Sequence, residues 1–428
     1  MKKFLGIVLV LALLLSCMAL PALAEEPLQL TMYFPVNVGG DAAKLIDQMT
    51  ADFNAENPDI QVQSVYTGNY DDTVTAIQTA IQGGNAPDLF VSLATQRFTM
   101  ADTKMAMPLD DLIAADSEGQ AFIDDFIDGF MLDSYVDGSI YSIPFQRSTM
   151  VMFYNKDAFA EVGLDPEAPP KNWDEMVEYA QKLTNENRYG VGIALNSGSA
   201  QWAFTGFSLQ NCTNGVGLMS ADGKEVYFNT PENIEALQLW LDLQNKYKCM
   251  APGIVQWTDL PTQFLAGEVA MIYHTTGNLT NIKNNATFDF GVCFLPAGRQ
   301  YGAPTGGGNF YITNGISEER QKAAWEFIKF CCSTERAAQW SIDTGYVATR
   351  ESCYETQLLK DYYESFPEAL VAYQQLPYAQ PELTTYSAAE MWRILNDNIQ
   401  AAVTGEMTAA EALEAAQQQG DDLLFDYQ

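Results

Sequence analysis

Apolar positions along this chain fall into short runs, separated by longer stretches with helical spacing. LQLTMYF at 28–34 reads as a strand, and DAAKLIDQMTADFNAENP at 41–58 as an amphipathic helix stopped before Pro58. IQVQSVYT (60–67) alternates as a second strand, YDDTVTAIQTAIQGG (70–84) is a helix ended by glycines, and PDLFVSL (87–93) is a third strand. This β-α-β-α-β rhythm predicts a largely parallel sheet with helices on its faces. Ligands of such sheets sit beyond the carboxyl ends of the strands.

The rhythm restarts after residue 149. MVMFY (150–154) is apolar throughout and predicts a strand covered on both faces, after which Asn155 caps a helix beginning at Lys156. Asn172, followed by Trp173, Asp174 and Glu175, opens another helix with a capping arrangement. The stretch 258–282 gives a helix, a stop at Gly267, a strand over 268–274 and a polar turn into a further helix. FDFGVCFLPAG (288–298) is a strand, 318–331 a helix, and the tail from Ser387 onward is helical. No repeat of 20–50 residues and no low-complexity linker interrupts the chain. Two α/β lobes without a tether imply several short crossings. We place them near 142–147, 303–307 and 346–350, with lobe 1 built from 25–142 and 304–346 and lobe 2 from 143–303 and 347–428.

The crossings carry the candidate chemistry. QRST (146–149) sets a guanidinium, two hydroxyls and an amide before a run that wants burial. Such groups in a cleft between lobes meet a ligand from both sides; alternatively Arg147 and Ser148 satisfy hinge carbonyls and a carboxylate. Gly306, Gly307 and Gly308 precede a strand, where their N–H groups can approach an anion closely or simply make a turn. Thr275, Thr276 and Gly277 stand at a strand-to-helix turn, which is either an oxyanion cradle or an ordinary cap. His274, the only histidine, is a core or rim residue by its position.

Composition narrows the classes. Lys2 and Lys3, an apolar run from Leu5 to Leu15 and the small residues ALA at 22–24 read as a secretory leader cleaved after Ala24. A lipidated Cys17 in LLSC is the rival reading. The chain beyond it has the length of two domains. A formal net charge of −33 argues against nucleic acid and anionic membranes as partners. A single histidine disfavours triad hydrolysis and histidine-ligated metal chemistry. The six cysteines after Cys17 show no metal-site spacing, so buried free thiols are expected, with one distant disulfide as the alternative.

YTGNYDDTVTAIQTAIQGGNAPDLF, IPFQRSTMVMFYNKDAFAEVGLDPEAPPKNWDEM, FLAGEVAMIY, GGGNFYI, DTGYVATR and VTGEMTAAEAL resemble the extracellular solute-binding proteins of ABC importers. The chain is most similar to the glycerol-3-phosphate-binding subtype, over essentially all of residues 27–425. The resemblance implies a two-lobed periplasmic-binding-protein-like α/β fold of type II, each lobe a mainly parallel sheet flanked by helices and hinged at the seam. It implies a monomer that needs no cofactor or metal and that delivers a polyol phosphate, glycerophosphodiester or oligosaccharide to a membrane permease.

Position by position, the resemblance makes Tyr70 a partner of the glycerol end and Ser148 and Thr275 hydroxyl contacts. Gly306 and Gly307 become backbone donors to phosphate, Tyr346 a further contact, and Trp202 an aromatic wall. Two departures stand out. Ala94 occupies the place of a hydroxyl-gripping glutamate, and Trp392 that of a phosphate-binding arginine, with Arg393 one residue beyond. Arg147 replaces a small residue of that subtype and is a second candidate for the missing charge. The competing classes are a secreted carbohydrate-active or phosphodiester-cleaving enzyme, which needs two carboxylates across a cleft, and a ligand sensor docking on a receptor.

Overall fold

The computed structural model describes residues 26–428 apart from 37, 39, 40, 197 and 214. The leader reading, with Cys17 and the boundary at Ala24, lies outside the described residues. No helix among the described residues is long and apolar enough to cross a membrane.

Strands β1 (Leu28–Phe34), β2 (Ile60–Tyr66) and β3 (Leu89–Leu93) form where the pattern places them, and β1 pairs in parallel with both others. The helix Ala42–Glu56 packs beside them, burying Ala42, Ile46, Thr50 and Phe53 at the spacing of one helical face. On the far side, β7 (Tyr189–Gly192) runs parallel to β8 (Val269–Thr275). A small hairpin, β4 (Tyr135–Val136) with β5 (Ser139–Ile140), stands apart from this sheet.

Two long strands join the halves. β6 (Ile143–Asn155) pairs antiparallel with β10 (Ala303–Ile312) through its first part, and with β8 and β9 (Phe290–Cys293) through its second. β10 in turn pairs with β3 and, at its start, with the two-residue strand β11 (Ala379–Gln380). The order β2-β1-β3-β10-β6-β8-β7 thus threads both halves through two shared strands. One apolar core draws on residues 30–145 and 310–346, and a second on 150–303 and 366–424. Val347, Ala372, Leu376 and Ala379 between them pack with Ile127 and Phe130.

The QRST segment differs from the expectation. It is the middle of a single thirteen-residue strand rather than a polar knot ahead of a shorter one, and every residue of that strand is buried. Three of the four QRST side chains are held by partners outside the segment. Gln146 accepts from the Tyr70 hydroxyl at 3.0 Å, and Thr149 donates to the Pro304 carbonyl at 3.0 Å. Arg147 donates to Asp133 at 2.8 Å and to Asn309 at 3.0 Å, with Phe130 beneath its guanidinium. Asp133 also receives Arg97 at 2.8 Å, so one buried carboxylate serves two buried guanidiniums. Asn309 completes the network with Ser134 and Ser142.

Gly306 to Gly308 likewise lie inside β10 instead of forming a turn before it. Gly307 adopts φ +91°, and a Cβ there would fall 1.8 Å from the Gln146 carbonyl oxygen. Only glycine allows the two crossing strands this approach. The six cysteines of the described residues are all unpaired, five of them buried and Cys293 half-buried.

Removing one partner of a buried ion pair leaves the other uncompensated, typically at about 3–5 kcal/mol. Asp133→Ala, which strands two guanidiniums, is expected to lower the unfolding free energy by at least that amount in urea titration. A loss below about 1 kcal/mol, the range typical of an exposed ion pair, would show that Asp133 does not hold the crossing together.

Candidate binding site

A cavity of about 320 Å³ opens where the two cores meet, within the size range of small-molecule sites. Its first wall comes from the carboxyl end of β3 and the start of the helix Tyr70–Gln82, contributing Leu93, Asn69, Tyr70 and Asp71. Asn69 caps that helix by accepting from the amides of Asp71 and Asp72, which fixes Tyr70 at the first helical position. The Tyr70 hydroxyl then reaches Gln146 on β6.

The crossing segments supply the floor. Ser148 on β6, Gly307 on β10 and Tyr346 beyond the helix Thr334–Thr344 all line the cavity. The Tyr346 ring stacks on Trp340 at 5.9 Å, and the Val347 amide donates to the Arg147 carbonyl at 2.8 Å, tying this third segment to β6. Burial pushes the Tyr346 and Tyr70 hydroxyls above their ordinary range, so both remain protonated.

The second wall is aromatic. Trp202, Trp257 and Trp392 each line the cavity. Trp202 donates its indole N–H to the Thr305 carbonyl at 2.9 Å, and Trp392 donates to the Leu383 carbonyl at 2.8 Å. Their polar edges are therefore used within the fold, leaving the ring bodies for the cavity. Trp257 is held from behind by His274, stacked on it at 3.7 Å between ring centroids. The Asn278 amide donates to His274 Nδ1 at 3.0 Å, which leaves Nε2–H to donate to the Trp257 carbonyl at 3.2 Å. Burial drives the imidazole down to about 3.

Of the residues singled out from the sequence, Tyr70, Ser148, Trp202, Thr275, Gly307 and Tyr346 meet around this one cavity. Three do not. Arg147 is fully buried behind the floor, with both terminal nitrogens engaged by Asp133 and Asn309. Gly306 does not face the cavity but seats an indole, since a Cβ there would lie 2.6 Å from the Trp202 ring. Arg393 points to solvent, paired with Glu390 and with Asp397 at 2.8 Å, because consecutive helical positions differ by about 100° in direction. Trp392 takes the inward place.

Pattern reading missed Trp257, Gln201, Asp71 and Glu382. Glu382 is a buried cavity residue, and Asp71 lines the opposite wall. Burial pushes the Glu382 carboxyl up to about 8, Asp133 adds to this, and the Gln201 hydrogen bond and Arg147 oppose it. No lysine, arginine or histidine lines the cavity among the described residues, nor do His, Cys, Asp or Glu side chains group there as a metal site.

The depressed His274 value has a pH consequence. Its folded pKa lies below the unfolded one, near 6.5, so the unfolded state takes up the proton first. Its stabilising contribution is full above about pH 6.5 and falls by roughly 1.4 kcal/mol per pH unit below that. His274→Gln is expected to flatten the decline of unfolding free energy between pH 6 and 4 relative to the parent. Parallel curves would show that the imidazole takes up its proton without unfolding.

The comparisons agree with this architecture. Residues 48–367 match the family described as bacterial extracellular solute-binding protein. The sn-glycerol-3-phosphate-binding periplasmic protein of Pectobacterium atrosepticum is 30% identical over 407 residues, spanning 90% of this chain and 89% of that protein. Its Escherichia coli K12 counterpart is 29% identical over 416 residues, 92% of each. Among solved structures, UgpB of Mycobacterium tuberculosis in complex with glycerophosphocholine superposes with a TM-score of 0.81 at 24% identity, over 94% of this chain and 98% of that one. The cyclic α-maltosyl-1,6-maltose binding protein of Arthrobacter globiformis gives 0.79 at 23%, over 94% and 100%. With a two-cored α/β fold around a shared cavity and a family match over most of its length, the chain belongs to the bacterial extracellular solute-binding proteins.

Proposed function

We propose that this protein is the capture component of an ABC importer, binding a hydroxyl-rich solute between two lobes and handing it to a membrane permease. The observation that carries this reading is the placement of the cavity. Its walls belong to different apolar cores, and its floor is made of the segments that connect them. A ligand touching both walls is bound best when they approach, so occupancy shifts the population toward closure.

The lobe division we propose is 25–142 with 304–346 and 143–303 with 347–428, and the two apolar cores support it. The leader at 1–24 is the export signal in this reading, with lipidation at Cys17 as its variant, and the capture component acts as a monomer. The ligand contacts we assign are Tyr70, Ser148, Thr275, Tyr346 and the Gly307 backbone, with Trp202, Trp257 and Trp392 packing on its apolar faces. The solute classes in question are a glycerophosphodiester, an oligosaccharide and glycerol 3-phosphate, the first and last taken from what the relatives are named for binding.

A thermal-shift screen with glycerol 3-phosphate, glycerophosphocholine, maltose and xylo-oligosaccharides tests the proposal, because a ligand that binds the folded state raises the melting temperature by mass action. One class is expected to stabilise the protein and to reduce its radius of gyration in solution scattering. Unchanged curves for every solute, or turnover of any of them to product, would remove the capture reading.

With the solute so identified, Ser148→Ala and Tyr346→Phe each delete one hydroxyl. Each is expected to weaken binding by about 0.5–1.5 kcal/mol, the net value of a neutral hydrogen bond, with the fold intact. Parent affinity in both variants by calorimetry would take these hydroxyls out of the contact set.

A further inference from the structure

We infer that Glu382 is a specificity-determining residue of the cavity: its carboxyl selects a ligand head that donates hydrogen bonds or carries positive charge, and turns away a phosphate monoester. This inference rests on the capture reading above.

Glu382 lies on the strap 381–387, between β11 and the helix Ala388–Val403. Its side chain is buried yet lines the cavity. Gln201 is its one side-chain donor among the described residues, at 3.3 Å. That amide is oriented by Asn396, which donates to Gln201 Oε1 at 2.8 Å and so leaves Gln201 Nε2 facing the carboxyl. A buried carboxyl with a single long hydrogen bond has acceptor capacity to spare. The indoles of Trp202 and Trp392, their N–H groups already committed, add ring faces whose negative quadrupole favours a cation or the C–H face of a polyol.

The same surroundings oppose a dianion. A phosphate monoester entering here finds no cationic side chain among the described lining residues, faces Asp71, and gains no pairing from Glu382, whose ionised form its charge would oppose. The guanidinium that acts on Glu382, that of Arg147, is fully buried and already engaged with Asp133 and Asn309. On the helix Ala388–Val403, Trp392 faces the cavity and Arg393 is turned outward to Asp397.

The charge state of Glu382 distinguishes the two kinds of head. The groups acting on it are Gln201 and Arg147, which favour its ionised form, and Asp133, which disfavours it. In the free cavity the carboxyl holds its proton at neutral pH, since burial raises it to about 8. A cationic head pairs with the carboxylate and releases that proton to solvent. A hydroxyl head binds the protonated acid and releases none.

Calorimetry with maltotriose, glycerophosphocholine and glycerol 3-phosphate, on the parent and on Glu382→Gln, tests the assignment. The parent is expected to bind one of the first two at least tenfold more tightly than glycerol 3-phosphate, and Glu382→Gln to shrink that ratio at least fivefold. If the preferred ligand is glycerophosphocholine, titrations at pH 7 in buffers of different ionisation enthalpy are expected to show proton release in the parent and none in the variant. If it is maltotriose, neither shows release. Equal or tighter binding of glycerol 3-phosphate by the parent, or an unchanged ratio in the variant, overturns the role of Glu382 while leaving capture intact. Absence of saturable binding by the parent to all three overturns both. Should Glu382→Gln fail to fold, Glu382→Asp, which withdraws the carboxyl by one methylene, reads the same ratio.

Discussion

The structure turns on one buried carboxylate. Asp133 is shared by Arg97 and Arg147, and through them it joins the loop ahead of the small hairpin, the helix after β3 and the crossing strand β6. Charges this deep are tolerated only when paired, since desolvation otherwise outweighs their attraction. The pairing covers both terminal nitrogens of Arg147 but not its Nε. The compensation here is geometric. Arg147 can reach Asp133 and Asn309 together only when β6 and β10 lie in the register that pairs Gly307 with Arg147. The ion network therefore specifies how the two shared strands pass one another, and with them how the two apolar cores face across the cavity.

That constraint explains the division of labour along QRST. Side chains alternate across a strand, so Gln146 and Ser148 serve the cavity side, one by holding Tyr70 and the other as lining. Arg147 and Thr149 serve the opposite side, bonding Asp133 and the Pro304 carbonyl. Four consecutive polar residues are thus two interleaved pairs with different duties. The aromatic wall follows a similar economy. His274 contributes no contact of its own to the cavity but holds Trp257 by stacking and by a hydrogen bond to its carbonyl.

Much of the fold was legible in the sequence because its strands and helices obey local rules. LQLTMYF became β1 residue for residue, and the Asn155 and Asn172 caps stand where they were read. The crossing strands were less legible. A run of polar residues or glycines ordinarily marks a break, whereas here Arg147 and Gly307 answer to partners far away in sequence or to a backbone that approaches too closely for any Cβ. The cavity was half visible. Tyr70, Ser148, Thr275 and Tyr346 sit in motifs, but Glu382 and Trp257 come from loops without periodicity, and only folding brings them together. A tryptophan in the otherwise polar loop around 256–259 was the one local hint. Arg393 was misplaced because adjacency in sequence is not adjacency on a helix.

The unpaired cysteines set an order of events. Burial lifts all six thiols above their usual range, and the thiolate is the nucleophile that attacks disulfides and oxidants. In the folded protein these six thiols are thereby kept largely in the less reactive protonated form. An extended chain has no such shelter, and Cys331 beside Cys332 offers a ready partner to any third sulfur. Outside a reducing compartment the sulfur atoms are therefore exposed to exchange chemistry only until the polypeptide has collapsed around them.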